Sequence, residues 1–135
     1  MSTFFIQIRC NQSPNYSVIV EDDGRVCYAY LLNDQKIVAD VWLYNCHDAP
    51  EHAPWGDKEK LPFENPKSFV RQDLSIAIIR SDQEVEVEWL FNNSQLDAVV
   101  ILIRGEKTAI MKPGTKPGWS LLASKDGPLA RAIIP

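Results

Sequence analysis

Both histidines of the chain, His47 and His52, lie close together beside Cys46, Asp48 and Glu51. Thiolate, imidazole and carboxylate are ligands for zinc and related metals, so a metal-dependent enzyme using Cys46, His47, Asp48 and His52 is one reading of this segment. The spacing argues against it. Zinc boxes pair ligands roughly two to four residues apart at two separate corners, and this chain has no second corner. Cys46 beside His47 also has the residue types of a nucleophile and its base. Such partners are neighbours in space rather than in sequence, and no Gly-x-Ser-x-Gly elbow occurs. Cys10 and Cys27 fall on or beside strand-like stretches and read as small apolar groups. No catalytic residue and no cofactor is expected.

Three other patterns bear on chemistry. Pro113-Gly114-Thr115-Lys116-Pro117-Gly118 looks like a phosphate loop but lacks the Gly-Lys-Ser/Thr order, and its prolines remove the backbone donors a phosphate needs. It reads as a rigid connection. The row Glu84, Glu86, Glu88 suits a hard cation or a basic partner, or simply a solvated strand face that discourages edge pairing. Trp42 and Tyr44, near Arg25 and Asp40, are placed to form an aromatic platform, or to be covered as core. The candidate ligand- or partner-binding set is therefore Arg25, Asp40, Trp42, Tyr44, His47, His52 and Trp55.

These residues must be positioned by strands. Short alternating stretches punctuated by turn residues run along the whole chain, and no long segment carries a helical stripe. The expected fold is all-β: an antiparallel sandwich of jelly-roll, Greek-key or meander type, or a closed barrel, with roughly eight to ten strands. One domain over 1–135 is expected, with a long ordered loop at about 46–67 whose prolines, Trp55 and Phe63 suit packing.

Tyr16 to Asn45 reads as three strands. A three-residue bulged turn at Asp22-Asp23-Gly24 sets Glu21 opposite Arg25, Val18 opposite Tyr28 and Tyr16 opposite Tyr30. A second turn at Asp34-Gln35 sets Tyr30 opposite Ala39 and Tyr28 opposite Val41. Tyr28 and Tyr30 then share the core face with Val18, Val20 and Val41. Trp42 and Tyr44 share the other face with Arg25 and Asp40. Further strands are expected at Leu74–Arg80, Glu84–Phe91, Ala98–Ile103, Lys107–Met111 and Leu129–Ile134, with a type II′ turn at Gly105-Glu106. Residues 119–125 suit a helical turn or a short strand equally.

Composition bounds the function. A net charge of -4 and the absence of a Lys/Arg cluster argue against nucleic acid as a partner. The apolar run Ala98–Ile103 is far too short to span a bilayer, so no membrane association is expected. The start of the chain alternates like a strand rather than a secretion signal, and three widely spaced cysteines suit a reducing, cytoplasmic setting. A non-enzymatic binding module is the favoured reading, acting on a protein partner or self-associating through a sheet face. A small-molecule or carbohydrate binder with Trp42, Tyr44 and Trp55 at its mouth is the alternative.

Overall fold

The computed structural model describes residues 3–133. Two sheets pack face to face and do not close into a barrel. The first is a four-stranded antiparallel meander, β1 (Phe4–Arg9), β2 (Tyr16–Asp22), β3 (Val26–Asn33) and β4 (Lys36–Asn45). The second contains β5 (Val85–Asn92), β6 (Gln95–Ile103), β7 (Glu106–Met111), β8 (Trp119–Ser120) and β9 (Arg131–Ala132) in sequence order, antiparallel except for the parallel pair β8–β9. The remaining elements are three single 3-10 turns, at Lys58–Lys60, Lys67–Phe69 and Asp82–Glu84. Residues 74–80, expected as a strand, run extended without pairing into either sheet, and the final strand is only Arg131–Ala132 within the described residues.

The tight hairpins follow from two-residue turns with positive φ at both positions: Asp34-Gln35, Asn93-Ser94 and Arg104-Gly105. These are type I′ geometries, whose twist matches that of the flanking strands. The β6–β7 turn is therefore Arg104-Gly105, one residue earlier than the type II′ turn read from the sequence, and Ile103 pairs with Glu106.

The β2–β3 turn corrects the expected register. Asp22 closes the hairpin against Cys27, and four residues, Asp23 to Val26, form the loop. The Asp23 carboxylate accepts from the Arg25 and Val26 amides, and the Asp22 carboxylate accepts from Gly24 N. Pairing shifts by an odd number, so Val18 faces Leu31, Val20 faces Ala29, and Glu21 faces Tyr28 rather than Arg25. An odd shift turns every side chain to the other face. Cys27, Ala29 and Leu31 enter the core with Val18 and Val20, whereas Tyr28 and Tyr30 stand on the outer face, their rings stacked at 6.0 Å.

Bulges complete the rearrangement. The pairs Leu31–Ala39 and Leu32–Ile37 leave Val38 unpaired, and Cys27–Tyr44 with Tyr28–Trp42 leave Leu43 unpaired. The expected pairing thus holds at the Asp34-Gln35 turn and fails beyond it. Trp42 joins Asp40 on the outer face, while Tyr44 turns inward with Val41 and Ala39.

In the second sheet, Val85, Val87, Trp89 and Phe91 of β5 face inward against Val99, Ile101 and Ile103 of β6, with Ala109 and Met111 of β7 beside them. The sheets meet where β4 crosses β7 and β8. There the free edge of β4 is occupied: Gly114 N donates to Val38 O, Gly118 N to Asp40 O, and Trp42 N to Leu129 O. Gly118 is required at this crossing, since a Cβ there would lie 2.4 Å from the Ile110 carbonyl oxygen.

Candidate functional site

The long loop after β4 folds back over the outer face of the first sheet. Asn45 and Asn65 clasp it through a reciprocal pair, Asn45 Nδ2 donating to Asn65 O and Asn65 N donating to Asn45 Oδ1. Tyr28 Oη donates to Phe63 O at 2.6 Å, and Arg25 donates to Pro62 O at 2.9 Å while pairing with Glu64 at 3.5 Å. Under this cover Trp42 is fully buried, its Nε1 donating to Asn45 Oδ1. Trp55 packs edge-on against Phe69 at 5.1 Å. Burial raises the Tyr28 hydroxyl pKa well above its ordinary value, so the phenol serves as a permanent donor to the loop.

Inside, at the same end of the sheet, a polar knot replaces apolar packing. The buried Asp22 carboxylate accepts from Gly24 N at 2.8 Å and Cys46 Sγ at 3.1 Å through Oδ1, and from Tyr44 Oη at 2.9 Å through Oδ2. Thr3 Oγ1 also lies 3.1 Å from Oδ1. Tyr44 Oη in turn accepts from Ile79 N, which ties the extended 74–80 segment to the sheet. Burial alone would raise the Asp22 pKa; these donors outweigh it and hold the carboxyl below its usual value.

The knot decides the fate of Cys46. Burial, together with the hydrogen bond to Asp22 and its charge, pushes the thiol up to about 12. A thiol so raised is almost wholly protonated at neutral pH, and the thiolate is the nucleophile. Iodoacetamide at pH 7.4 is therefore expected to modify native Cys46 more than about tenfold slower than the same cysteine in urea-unfolded chain. Peptide mass spectrometry measures both rates, and equal rates would contradict the half-buried, Asp22-bonded thiol.

His47, Asp48 and His52 point elsewhere and are exposed. Among the described residues no three His, Cys, Asp or Glu side chains gather closely enough to hold a metal ion. Tyr44 and Trp42, both buried, offer no ring surface to a ligand, and they lie on opposite faces of the sheet. Arg25 is spent on the loop. Asp40 stays half-buried on the outer face, its pKa raised by burial against the opposing charge of Lys116. Trp55 is partly covered within the loop.

What the loop leaves uncovered is the other half of the same face. A hollow of about 540 Å³ opens there, floored by Gln7, Arg9, Ser17, Ile19 and Leu32 and rimmed by Pro14, Asn15, Asp34 and Gln35. Cross-strand pairing builds it: Gln7 lies opposite Ile19, Arg9 opposite Ser17, and Ser17 opposite Leu32. Gln7 Nε2 donates to Ser17 Oγ, and Arg9 Nη1 donates to Pro14 O, fixing the polar floor. Two large apolar side chains flank it in solvent, Phe5 at 53% and Ile37 at 49% exposure. The sequence gives one signal for this surface, the alternation of Phe5, Gln7 and Arg9 on β1; the register that assembles it is not visible there.

Fold and site define a two-sheet β-sandwich with one half-covered outer face. Comparison with protein-family models, curated proteins and solved structures gives no significant match. No helix among the described residues is long and apolar enough to cross a membrane.

Proposed function

We propose that this protein is a binding module whose ligand is a segment of a partner protein, seated on the open half of the outer face of the first sheet. The observation that carries the reading is the asymmetry of that face. One half is sealed by a clasped loop. The other presents the hollow between exposed Phe5 and Ile37, beside the edge of β1 that has no partner strand among the described residues. An extended segment has three things to use there: backbone pairing along β1, apolar contact with Phe5, Ile19 and Ile37, and the Arg9 guanidinium for an acidic side chain. The groups on the floor are amide, hydroxyl, guanidinium and aliphatic, which suit recognition rather than bond-breaking.

The test is paired capture from the host's own extract with wild type and an Arg9→Glu/Ile19→Lys variant, read by quantitative mass spectrometry. At least one protein is expected to fall about tenfold or more with the variant, the ratio given by about 1.4 kcal/mol of lost binding. That protein should bind purified wild-type chain directly. If nothing captured distinguishes the two baits while both remain folded, the assignment of this face is wrong.

A further inference from the structure

The two edges of the first sheet differ. Along β4, backbone groups are taken up by Gly114, Gly118 and Leu129. Along β1 they are left open, and two hydrogen bonds identify them. Cys10 N donates to Tyr16 O, and Asp34 N to Asn15 O, each in register with the strand pairing beside it. In an antiparallel pair, positions bonded in this way recur at every second residue. The even-numbered residues of β1 therefore bond to β2, and the N–H and C=O groups of Phe5, Gln7 and Arg9 face away from the sheet. None of these groups has a partner among the described residues. Exposed edges are usually blunted by lysine, proline, a bulge or a covering segment. Among the described residues β1 has none of the four: it reads Phe-Phe-Ile-Gln-Ile-Arg, and its pairing with β2 runs without a shift.

Laid antiparallel against itself, this edge is self-complementary. Outward groups must meet outward groups, so a two-fold axis perpendicular to the sheet sets Gln7 against Gln7 of the second copy, and Phe5 against its Arg9. Every outward N–H and C=O of the strand then finds a partner. On the inner side, half-buried Ile6 meets Ile8 of the second copy and carries the core across the joint. On the outer side, Phe5 is 53% exposed and takes the second copy's Arg9 guanidinium beside its ring, with Glu21 next in the same cross-strand row. Arg9 makes no ion pair among the described residues, so this register brings an unneutralised cation toward an acid. Sliding the copies by two residues leaves outward groups without a strand opposite. In one direction it also makes the two Arg9 side chains diagonal neighbours. We propose that two copies of this chain join β1 to β1 in this register, and that the joint regulates the hollow by closing the β1 edge until a partner segment displaces the second copy. The regulatory half rests on the binding assignment above; the dimer does not.

Sedimentation equilibrium from about 1 to 300 µM, which spans weak to moderate homodimers, is expected to reach twice the chain mass at the upper end. Gln7→Pro is expected to weaken dimerisation by tenfold or more. The N–H it removes faces the free edge, so pairing with β2 is kept, and circular dichroism checks the fold. Cysteines read the register independently, since bonded cross-strand positions have Cα atoms about 5.5 Å apart, within disulfide reach. Under oxidised glutathione, an equal mixture of Phe5→Cys and Arg9→Cys is expected to cross-link between chains at least tenfold faster than either variant alone. A wild type that stays monomeric throughout overturns the proposal, and cross-linking without this preference overturns the register. Ile6→Cys/Ile8→Cys, on the inner side and outside the hollow, locks the joint when oxidised. Capture from the host's extract is expected to lose with the oxidised bait a protein that the reduced bait holds, and equal capture overturns the regulation. A dimer with no captured protein on either bait defeats the binding assignment and the regulatory half with it. A captured protein on a bait that never dimerises defeats this inference alone. Ile19→Lys, on the floor of the hollow and not on the edge strand, should dimerise like wild type.

Discussion

Replacing Asp22 with alanine is expected to lower the stability of this fold by about 3–5 kcal/mol, the range for removing one partner from a buried, charged hydrogen-bond cluster. The substitution leaves Tyr44 Oη, Gly24 N and Cys46 Sγ facing an empty, water-poor site. The deficit has a definite pH dependence. The Asp22 carboxyl titrates lower in the folded chain than the ordinary value of about 3.9. Its stabilising contribution is therefore complete above that value and is lost as the pH falls through the lower folded value. Urea unfolding of wild type and Asp22→Ala should give a constant difference from about pH 5 to 7.5, narrowing below about pH 4. A gap that widens on acidification would show that the knot is held by a neutral carboxyl and would reverse the argument.

Trp42→Ala is expected to be as damaging, at about 3–5 kcal/mol for a fully buried tryptophan. Its indole fills the space between the sheet and the clasped loop, so the loss has a local signature beyond stability. Trypsin cleavage after the exposed Lys58 and Lys60 should accelerate under native conditions, before global unfolding, as the cover lifts. Trp42→Phe keeps most of the ring volume and removes the Nε1–Asn45 bond, a change worth about 1 kcal/mol. If Trp42→Ala accelerated cleavage no more than Trp42→Phe does, the loop would be anchored by Asn45–Asn65 and Tyr28–Phe63 without help from the ring.

Where one strand face meets solvent, the sequence is easily read. β5 alternates Val85, Val87, Trp89 against Glu86, Glu88, and the structure keeps that division. β3 is different. Cys27, Ala29 and Leu31 on one side and Tyr28, Tyr30 and Leu32 on the other are both apolar, because the loop covers part of the outer face. A strand apolar on both sides satisfies either register, and the choice falls to the Asp22 knot, whose members Thr3, Tyr44, Cys46 and Ile79 are distant in sequence. The unpaired residues Val38 and Leu43 leave no mark in the alternation either, since an extra apolar residue in a strand apolar on both sides looks like its neighbours. Asp40 and Trp42 could be read as sharing a face. The separation of Trp42 from Tyr44 depends on the Leu43 bulge, and the hollow depends on the pairing of β1 with β2.

The closing of the β4 edge has a consequence for how the chain is made. The first meander is assembled from neighbouring hairpins and can form as soon as its own residues have emerged during synthesis. Its outer edge cannot be finished then, because the groups that occupy it come from Gly114, Gly118 and Leu129. Until those arrive, Val38 O, Asp40 O and Trp42 N form an open template for another strand, of the kind that recruits a neighbouring nascent chain. Along that stretch of β4 the charged side chains are Lys36 and Asp40, which oppose pairing with an apolar strand during that interval. The edge is thus a timed vulnerability of biosynthesis that disappears in the finished molecule.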